Sequence, residues 1–319
     1  MEEITLENLN PQDFIEEKIE EISALVGDGL AVNALSGGVD SSVVTMLGFK
    51  ALGTRLRTYF IDNGIMRHEE PQQIVSCFET LRVPVDIVDA QKHFFHALRG
   101  LTDPEEKREA ITRTFYKDVF GQLVQESGAA YLLQGSIYTD VEETVAGIKR
   151  QHNILVQLGI DTEKRFGYKV IEPLIELRKP AVRAIAKALG LPASIYNRPP
   201  FPGPALAARI IGEVTKERTD IIRKATKIVE ETLHHTDAFQ SLAILHEDKV
   251  TGIRHGQRDY GLQIEIRCWD SSDARTAAPT RLPFETLEAM AKEITSDVPG
   301  VVSVTYNITR KPPSTIEAI

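Results

Sequence analysis

The sequence has few cysteines, no long apolar run and no excess of basic residues. Its 319 residues include two cysteines, Cys77 and Cys268, which lie far apart and form no metal-binding pattern. A chain with neither a disulfide framework nor a zinc motif is typical of a reducing compartment, so we expect a cytoplasmic protein. The N-terminus is acidic and lacks the apolar core of a secretory signal, and no segment reaches membrane-spanning length.

The balance of charges argues against a general affinity for nucleic acid. Lysine and arginine together number 37 against 46 aspartate and glutamate residues, which gives a net charge of −9. Non-specific binding to a nucleic-acid backbone depends on many basic contacts. We therefore expect no nucleic-acid partner and no membrane partner, while a local basic pocket for a small anion is compatible with this composition.

Two widespread phosphate-binding signatures are absent, namely Gly-x-x-x-x-Gly-Lys-Ser/Thr and Gly-x-Gly-x-x-Gly. The segment Leu35–Ser42 instead contains Ser-Gly-Gly-x-Asp-Ser, between a short apolar run and a stretch with helical periodicity. A strand that turns through glycines into a helix presents backbone N–H groups at the positive end of the helix dipole, which favours a phosphate. Ser36, Ser41 and Ser42 add hydroxyl donors, and Asp40 beside a phosphate indicates an intervening Mg²⁺.

The order of the predicted elements indicates a doubly wound parallel α/β sheet followed by a smaller α+β unit. In the first part, strands are predicted at 30–35, 56–61, 83–88, 130–134 and 169–173, and helices at 11–26, 71–81, 104–127 and 179–189. A boundary is predicted at Asn197–Pro204, because four prolines exclude regular structure there. Beyond it, strands are predicted at 207–213, 241–245, 262–268 and 301–308, and helices at 216–233 and 284–294. The predicted domains are residues 1–197 and 198–319.

The Ser-Gly-Gly-x-Asp-Ser segment resembles the PP-loop of the ATP pyrophosphatases, which split ATP between its α- and β-phosphates. Four further blocks extend the likeness over nearly the whole chain: Phe60–Arg67, Gln134–Thr144, Phe201–Thr215 and Lys311–Glu317. With these blocks the sequence is similar to the ATP-pyrophosphatase subunit of GMP synthase. The resemblance implies an adenine nucleotide alpha-hydrolase-like fold with a C-terminal dimerisation domain. It also implies amination of XMP to GMP through an adenylyl-XMP intermediate, with ATP and Mg²⁺ required and AMP and pyrophosphate released.

The same resemblance implies roles for individual residues. The pyrophosphate and its Mg²⁺ are expected on Ser36, Gly37, Gly38, Asp40, Ser41 and Ser42, with Asp40 as the metal ligand and both Asp40 and Ser41 acting in catalysis. The adenosine pocket is expected along Asp62, Gly64, Arg67, Gln134 and Gly135. Residues 142–166 have poor periodicity and are predicted to form a mobile lid or connector. By resemblance, further catalytic groups are expected in this segment and just before it: Asp140, Glu143 and Lys149. A solvated acidic turn and an exposed lysine are the alternative interpretations of those three residues. The XMP site is expected to comprise Arg198, Arg209, Lys311, Ile316 and Glu317.

The resemblance also implies partners. A glutaminase of this class needs a Gly-x-Cys-x-Gly turn with a histidine, and neither cysteine lies in such a turn. Ammonia is therefore expected from solution or from a separate glutamine amidotransferase subunit, and the chain is expected to form a homodimer. The chain departs from the family pattern at Gln151, Ala205, His255-Gly256 and Ala318-Ile319. Because these positions lie outside the phosphate loop, ATP activation is better supported than XMP as the acceptor.

Two other interpretations stay open. A paralogue that activates a different nucleotide or base, for amidation or sulfur transfer, would use the same phosphate loop. Cys77, on the helix after the Asp62 segment, is the candidate thiolate for sulfur transfer, and a buried structural cysteine is its simpler interpretation. A non-catalytic nucleotide-binding regulator is the third possibility, although a regulator would not need the metal-facing Asp40.

Overall fold

The computed structural model describes residues 3–145, 167–198, 201–254, 256–272 and 274–318, with the backbone alone for 143–145. The chain divides into two compact units, and neither unit is one continuous stretch. The first comprises Met1–Ile61, Pro71–Asp89 and Phe115–Arg198, and the second comprises Asp62–Glu70, Ala90–Thr114 and Pro199–Ile319. The division into residues 1–197 and 198–319 stays a prediction.

The first unit is built on a five-stranded sheet in the order β3-β2-β1-β4-β5. Its strands are β1 Ala31–Ala34, β2 Leu56–Asp62, β3 Asp86–Asp89, β4 Tyr131–Leu133 and β5 Lys169–Ile171. Parallel pairing joins β1 to both β2 and β4, and β4 to β5. The strand order reverses between β1 and β4, which is the switch point where open α/β sheets bind ligands. The predicted doubly wound parallel sheet is therefore confirmed.

Helices precede, connect and follow these strands, and the helix Val39–Leu52 packs against β1 and β4. They span Pro11–Val26, Val39–Leu52, Glu70–Thr80, Gly121–Ser127, Tyr138–Val145, Lys179–Ala188 and Ala193–Tyr196. Asn10 caps the first of them by accepting a hydrogen bond from the Gln12 N–H at 3.1 Å. The single helix predicted over 104–127 is α-helical at Pro104–Arg113 and at Gly121–Ser127, with the π-helical segment Thr114–Phe120 between them.

The second unit contains a four-stranded sheet centred on one long hairpin. Strands β6 Gln240–Arg254 and β7 Gln257–Asp270 pair antiparallel, with a register shift between Leu245 and Lys249. Strand β7 also pairs with β8 Ala278–Pro279 and, in parallel, with β9 Val301–Tyr306. The helices of this unit are Gln91–Ala97, Pro104–Arg113, Lys216–Leu233 and Phe284–Asp297. Both hairpin strands extend beyond the predicted bounds, because their distal halves are largely exposed and lack a clear apolar pattern.

The strand predicted at 207–213 is wrong. Residues Ala205–Arg209 form a 3₁₀ helix, and Ile210 makes only an isolated bridge to Leu245. Every residue of this short helix is buried. A short apolar run that is buried on all sides has no periodicity, so the sequence could not distinguish a strand from a buried turn. Within the described part of the chain, no helix is both long and apolar enough to cross a bilayer.

Candidate functional site

The phosphate loop lies between the carboxyl end of β1 and the first turn of the helix Val39–Leu52. Gly37 has a φ of +77°, a conformation that disfavours a side chain, and Gly38 is the helix N-cap without a side-chain capping bond. The Oγ atom of Ser41 accepts from the Ser36 N–H at 3.2 Å and donates to the Gly38 carbonyl at 3.0 Å. The loop is therefore shaped by its own hydroxyl groups, and the first N–H groups of the helix have no side-chain cap to compete with an anion.

Asp40 is the metal candidate, and it lies beside a cation that the sequence did not single out. The Nζ atom of Lys179 is 2.5 Å from Asp40 Oδ2. The other oxygen, Oδ1, is buried and has no hydrogen-bond partner among the described residues. Such an oxygen in a phosphate loop fits Mg²⁺, which is usually bound by one or two carboxylates together with substrate phosphates. Among the described residues, no group of three or more His, Cys, Asp or Glu side chains is placed to hold a metal ion without ligands from a bound phosphate.

The segment after β4 approaches the phosphate loop closely. A Cβ atom on Gly135 would lie 3.2 Å from both the carbonyl carbon of Asp40 and the backbone nitrogen of Ser41. The neighbouring Gln134 donates its backbone N–H to Ile171 at 2.9 Å, which continues the pairing of β4 with β5. Both predicted residues thus lie at the switch point of the sheet, and the close approach of two backbones favours glycine at position 135.

The predicted lid residues are only partly described. The Oδ2 atom of Asp140 accepts from the Ile137 N–H at 3.0 Å, at the start of the helix Tyr138–Val145. Glu143 belongs to that helix, but its side chain and the whole of Lys149 lie outside the described residues. Nothing in the structure therefore tests their catalytic roles, and residues 146–166 of the segment predicted over 142–166 also lie outside the described residues.

Arg198, predicted for the XMP site, lies against the phosphate loop of its own unit. Its Nη1 atom donates to the Gly37 carbonyl at 3.2 Å, and a Cβ on Gly37 would lie 3.0 Å from the same nitrogen. A guanidinium at this distance adds positive charge next to the anion-binding N–H groups. The geometry therefore associates Arg198 with the phosphate loop.

The predicted adenosine residues at the end of β2 and just after it belong to the second unit. Asp62 accepts from the Gly64 N–H at 2.9 Å and from Gln91 Nε2 at 3.0 Å. Arg223 donates through Nη2 to the Gly64 carbonyl at 2.5 Å and through Nε to the Met66 carbonyl at 2.9 Å. Gly64 has a φ of +76°, a backbone conformation that favours glycine at this position. The loop is therefore held at both ends by side chains distant in sequence.

The C-terminal segment is fixed on strand β7. The Nη1 atom of Arg267 lies 2.8, 3.3 and 3.2 Å from the carbonyl oxygens of Thr315, Ile316 and Glu317. Trp269 donates through Nε1 to the Ile316 carbonyl at 3.3 Å. Ile316, a predicted substrate residue, packs its side chain in a core cluster with Trp269. A segment that looks like a frayed polar tail in the sequence is therefore an ordered part of the second unit.

A buried carboxylate orients Arg267. The Oε1 atom of Glu265 accepts from Arg267 Nε at 2.5 Å and from Asn307 Nδ2 at 2.9 Å, and Oε2 lies 2.8 Å from His246 Nε2. Burial alone raises the pKa of Glu265, but the hydrogen bonds from His246, Asn307 and Arg267 outweigh it and hold the pKa at about 2. Glu265 is thus ionised at neutral pH and pairs with the cation that binds the C-terminal carbonyl groups.

Residues predicted for adenosine and for XMP meet at the ring of Phe201. The guanidinium of Arg67 lies 3.9 Å from the ring centroid and that of Arg209 lies 5.0 Å from it. Arg209 is 1% exposed, and its Nε and Nη2 atoms lie 3.3 and 3.4 Å from the carboxylate of Glu317. Gln240 donates to the same carboxylate at 2.7 Å. Arg209 is therefore paired and buried, which makes it a support for Glu317.

Lys311 and three of the departures from the family pattern, Ala205, Gly256 and Ala318, are also described. Lys311 pairs with Ala277 across an isolated bridge, and its Nζ atom donates to the Ala274 carbonyl at 2.8 Å. Ala205 has a φ of +51°, a conformation that favours the glycine of the family pattern. Ala318 packs against the core cluster that contains Ile316. Three other departures lie outside the described residues: Gln151, His255 and Ile319.

The sequence interpretation missed Lys179, Glu265 and Arg267. A lysine in the first turn of the helix Lys179–Ala188 opposes the helix dipole, and that mismatch is the signal that could have pointed to an acidic partner. Glu265 and Arg267 alternate on one face of a strand whose neighbours are apolar and buried. Charged side chains in such a strand indicate buried ion pairs, because an unpaired buried charge is very unfavourable.

Comparison with known proteins yields relatives that match over almost the whole chain. The glutamine-hydrolyzing GMP synthase subunit of Archaeoglobus fulgidus is 46% identical over 309 residues, which cover 97% of this chain and 99% of the relative. The protein of the same name from Pyrococcus abyssi is 45% identical over 312 residues, with 97% and 99% covered. That from Methanothermobacter thermautotrophicus is 42% identical over 313 residues, again with 97% and 99% covered. Residues 226–318 match the family described as the GMP synthase C terminal domain.

Proposed function

Because the chain belongs to the family of GMP synthase ATP-pyrophosphatase subunits, we propose that it catalyses the ATP-dependent amination of XMP to GMP. The C2 oxygen of XMP attacks the α-phosphate of ATP, which forms adenylyl-XMP and releases pyrophosphate. Ammonia then attacks C2, the C2–O bond breaks, and AMP leaves. An intact phosphate loop in a chain that aligns with these relatives over 97% of its length carries this proposal. The chemistry demands mainly positioning and charge neutralisation.

The phosphate loop supplies most of the neutralising groups. Ser36, Ser41 and the first N–H groups of the helix Val39–Leu52 are placed to hold the pyrophosphate of ATP. Asp40 would hold Mg²⁺ through its buried Oδ1 atom, and a bound Mg²⁺ neutralises charge on the departing pyrophosphate. Lys179 provides a second positive charge at the same carboxylate. We assign Asp140, Glu143 and Lys149 to the ammonia and adenylylation chemistry by family resemblance alone.

The C-terminal segment and its supports form the proposed XMP site. Lys311 would neutralise the 5′-phosphate, and the Glu317 carboxylate would accept hydrogen bonds from purine N–H groups. An ionised carboxylate accepts at about four positions. The two Arg209 nitrogens and Gln240 occupy three of these in the free protein, which leaves room for one purine N–H. We assign Arg209 a positioning role behind Glu317, since its side chain is almost fully buried.

We further propose that the protein is a cytoplasmic homodimer that receives ammonia from a separate glutamine amidotransferase. Ile253 and Tyr260 support a protein contact on the distal hairpin, because they are 79% and 67% exposed. A second copy of the chain is the proposed occupant of that surface. Light scattering at micromolar concentration should give twice the chain mass of 35.5 kDa. A monomer mass would contradict the homodimer and leave the catalytic proposal unchanged.

The catalytic proposal is tested by incubating the protein with Mg·ATP, XMP and ammonium and separating the nucleotides by chromatography. We expect GMP, AMP and pyrophosphate in equal amounts, and no GMP when glutamine replaces ammonium. Asp40→Asn should abolish pyrophosphate release without changing the circular dichroism spectrum, and Asp28→Asn, at an exposed turn, is the matched control. Pyrophosphate release with a different nucleotide, but not with XMP, would favour the paralogue. No pyrophosphate with any acceptor would favour the regulator.

A further inference from the structure

One carboxylate oxygen of Glu230 faces two arginines. Its Oε1 atom lies 2.9 Å from Arg67 Nε and 3.8 Å from Arg209 Nη1. Arg209 in turn pairs with Glu317 at 3.3 Å. The four side chains therefore form a row of alternating charge within the second unit, from the loop after β2 to the C-terminal segment.

This row is shielded from water over most of its length. The Arg67, Arg209 and Glu317 side chains are 13%, 1% and 17% exposed, and Glu230 is the most accessible member at 32%. The ring of Phe201 lies against both guanidinium groups. Charges in such surroundings interact more strongly than they do at an open surface, so a change at one end affects the next member.

Glu230 makes a short contact with only one of the two arginines. Arg209 Nη1 is buried and has no hydrogen-bond partner within the described part of the chain. A buried donor without a partner is destabilising, so Arg209 would gain a hydrogen bond if Glu230 moved toward it. Such a movement would lengthen the contact with Arg67. A carboxylate that faces two arginines can move toward either of them, and groups that bind at either end would shift the balance between these two positions.

We propose that Glu230 is a positioning residue that couples ATP binding to XMP binding, an inference that rests on the proposed function. ATP contacts to the loop that carries Arg67 draw this arginine away from Glu230. Glu230 then closes on Arg209, which weakens the hold of Arg209 on Glu317. The released carboxylate is available to the purine N–H groups of XMP. ATP thus raises the affinity for XMP, and by linkage XMP raises the affinity for ATP by the same factor.

Calorimetric titration of XMP into the full chain tests the coupling, with and without saturating Mg²⁺ and a non-hydrolysable ATP analogue. The wild-type protein should bind XMP at least about fivefold more tightly with the analogue present, and Glu230→Gln should reduce this ratio below about twofold. Glu231→Gln is the matched control, since this neighbouring side chain is 65% exposed, and it should keep the wild-type ratio. Arg67→Lys keeps the charge but removes the Nε donor, and it should also reduce the ratio of XMP affinities with and without the analogue.

The outcomes separate this inference from the proposed function. A wild-type ratio near one, or an unchanged ratio in Glu230→Gln and Arg67→Lys, would overturn the coupling while leaving the amination proposal intact. Weaker binding of both ligands with an unchanged ratio would show that Glu230 is only structural. Arg67→Lys decides the question if Glu230→Gln does not fold. Failure of the wild-type protein to bind XMP under any condition would overturn the proposed function as well.

Discussion

The Nζ atom of Lys179 lies 2.5 Å from the Oδ2 atom of Asp40, in the phosphate loop of the first unit. Asp40 alone would repel a phosphate, while a lysine alone in the first turn of a helix is disfavoured by the helix dipole. Paired, each charge offsets the other in the free protein. When ATP and Mg²⁺ bind, the same two side chains are available to the metal and to the phosphates.

Replacing Lys179 should therefore impair pyrophosphate release and leave the fold intact. We expect Lys179→Gln to lower the rate of release at least about tenfold, because it removes a positive charge where negative charge develops. Lys187→Gln is the matched control, since Lys187 is an exposed lysine on the same helix. Equal rates for the two variants in a pyrophosphate assay would contradict the proposed role of Lys179.

The glycine after β4 gives a steric prediction. In Gly135→Ala the new Cβ meets the Asp40 and Ser41 backbone at 3.2 Å, so the phosphate loop must shift by a few tenths of an ångström. A small misplacement of reacting groups can reduce turnover by up to about 100-fold. We expect a lower kcat for pyrophosphate release with circular dichroism unchanged. Gly203→Ala is the control, because no atom lies within 4 Å of its added Cβ. Full activity of Gly135→Ala would show that the loop tolerates the shift.

The C-terminal segment should affect the binding of the acceptor XMP and not the binding of ATP. Deleting residues 311–319 removes Lys311 and Glu317, so the KM for XMP should rise or turnover should be lost, with ATP binding nearly unchanged. Arg267→Ala should give a milder form of the same change, since it removes the contacts to three carbonyl groups. Steady-state kinetics with each substrate varied will measure this. Joint loss of ATP binding and thermal stability would instead show that the segment is structural.

The lowered pKa of Glu265 predicts how the stability of the folded protein changes at acidic pH. Its pKa in the folded protein is about 2, below the ordinary value of 4.5, so the folded state favours the ionised form. The stabilisation is present above pH 4.5 and is lost as the pH falls from there toward 2, with an amplitude of about 3 kcal/mol. Glu265→Gln should be less stable at neutral pH and show a flatter decline over that range. The free energy of unfolding of both proteins is measured with urea at each pH. A difference between the two proteins that stays the same at every pH would contradict this prediction.

The sequence predicted the features that depend on local pattern. The helix Lys216–Leu233 has the predicted bounds, and the phosphate loop is one continuous segment whose glycines and hydroxyls are recognisable in order. Contacts between distant residues were not predictable in this way. Lys179 and Asp40 are 139 residues apart, and no local periodicity relates them. The prediction for the buried segment Ala205–Arg209 failed for a different reason, because uniform burial removes the pattern on which a strand prediction depends.

The second unit is assembled from separated parts of the chain, and this has a consequence for synthesis. The loop after β2 is anchored by Arg223 and Glu230, which follow Met66 and Arg67 by 157 and 163 residues. On the ribosome the loop emerges long before either anchor, so it cannot take up its final contacts until the later segment has folded. A fragment that stops at Arg198 keeps the phosphate loop but lacks both anchors. We expect protease to cleave such a fragment near Met66, and we expect no adenylylation from it by itself.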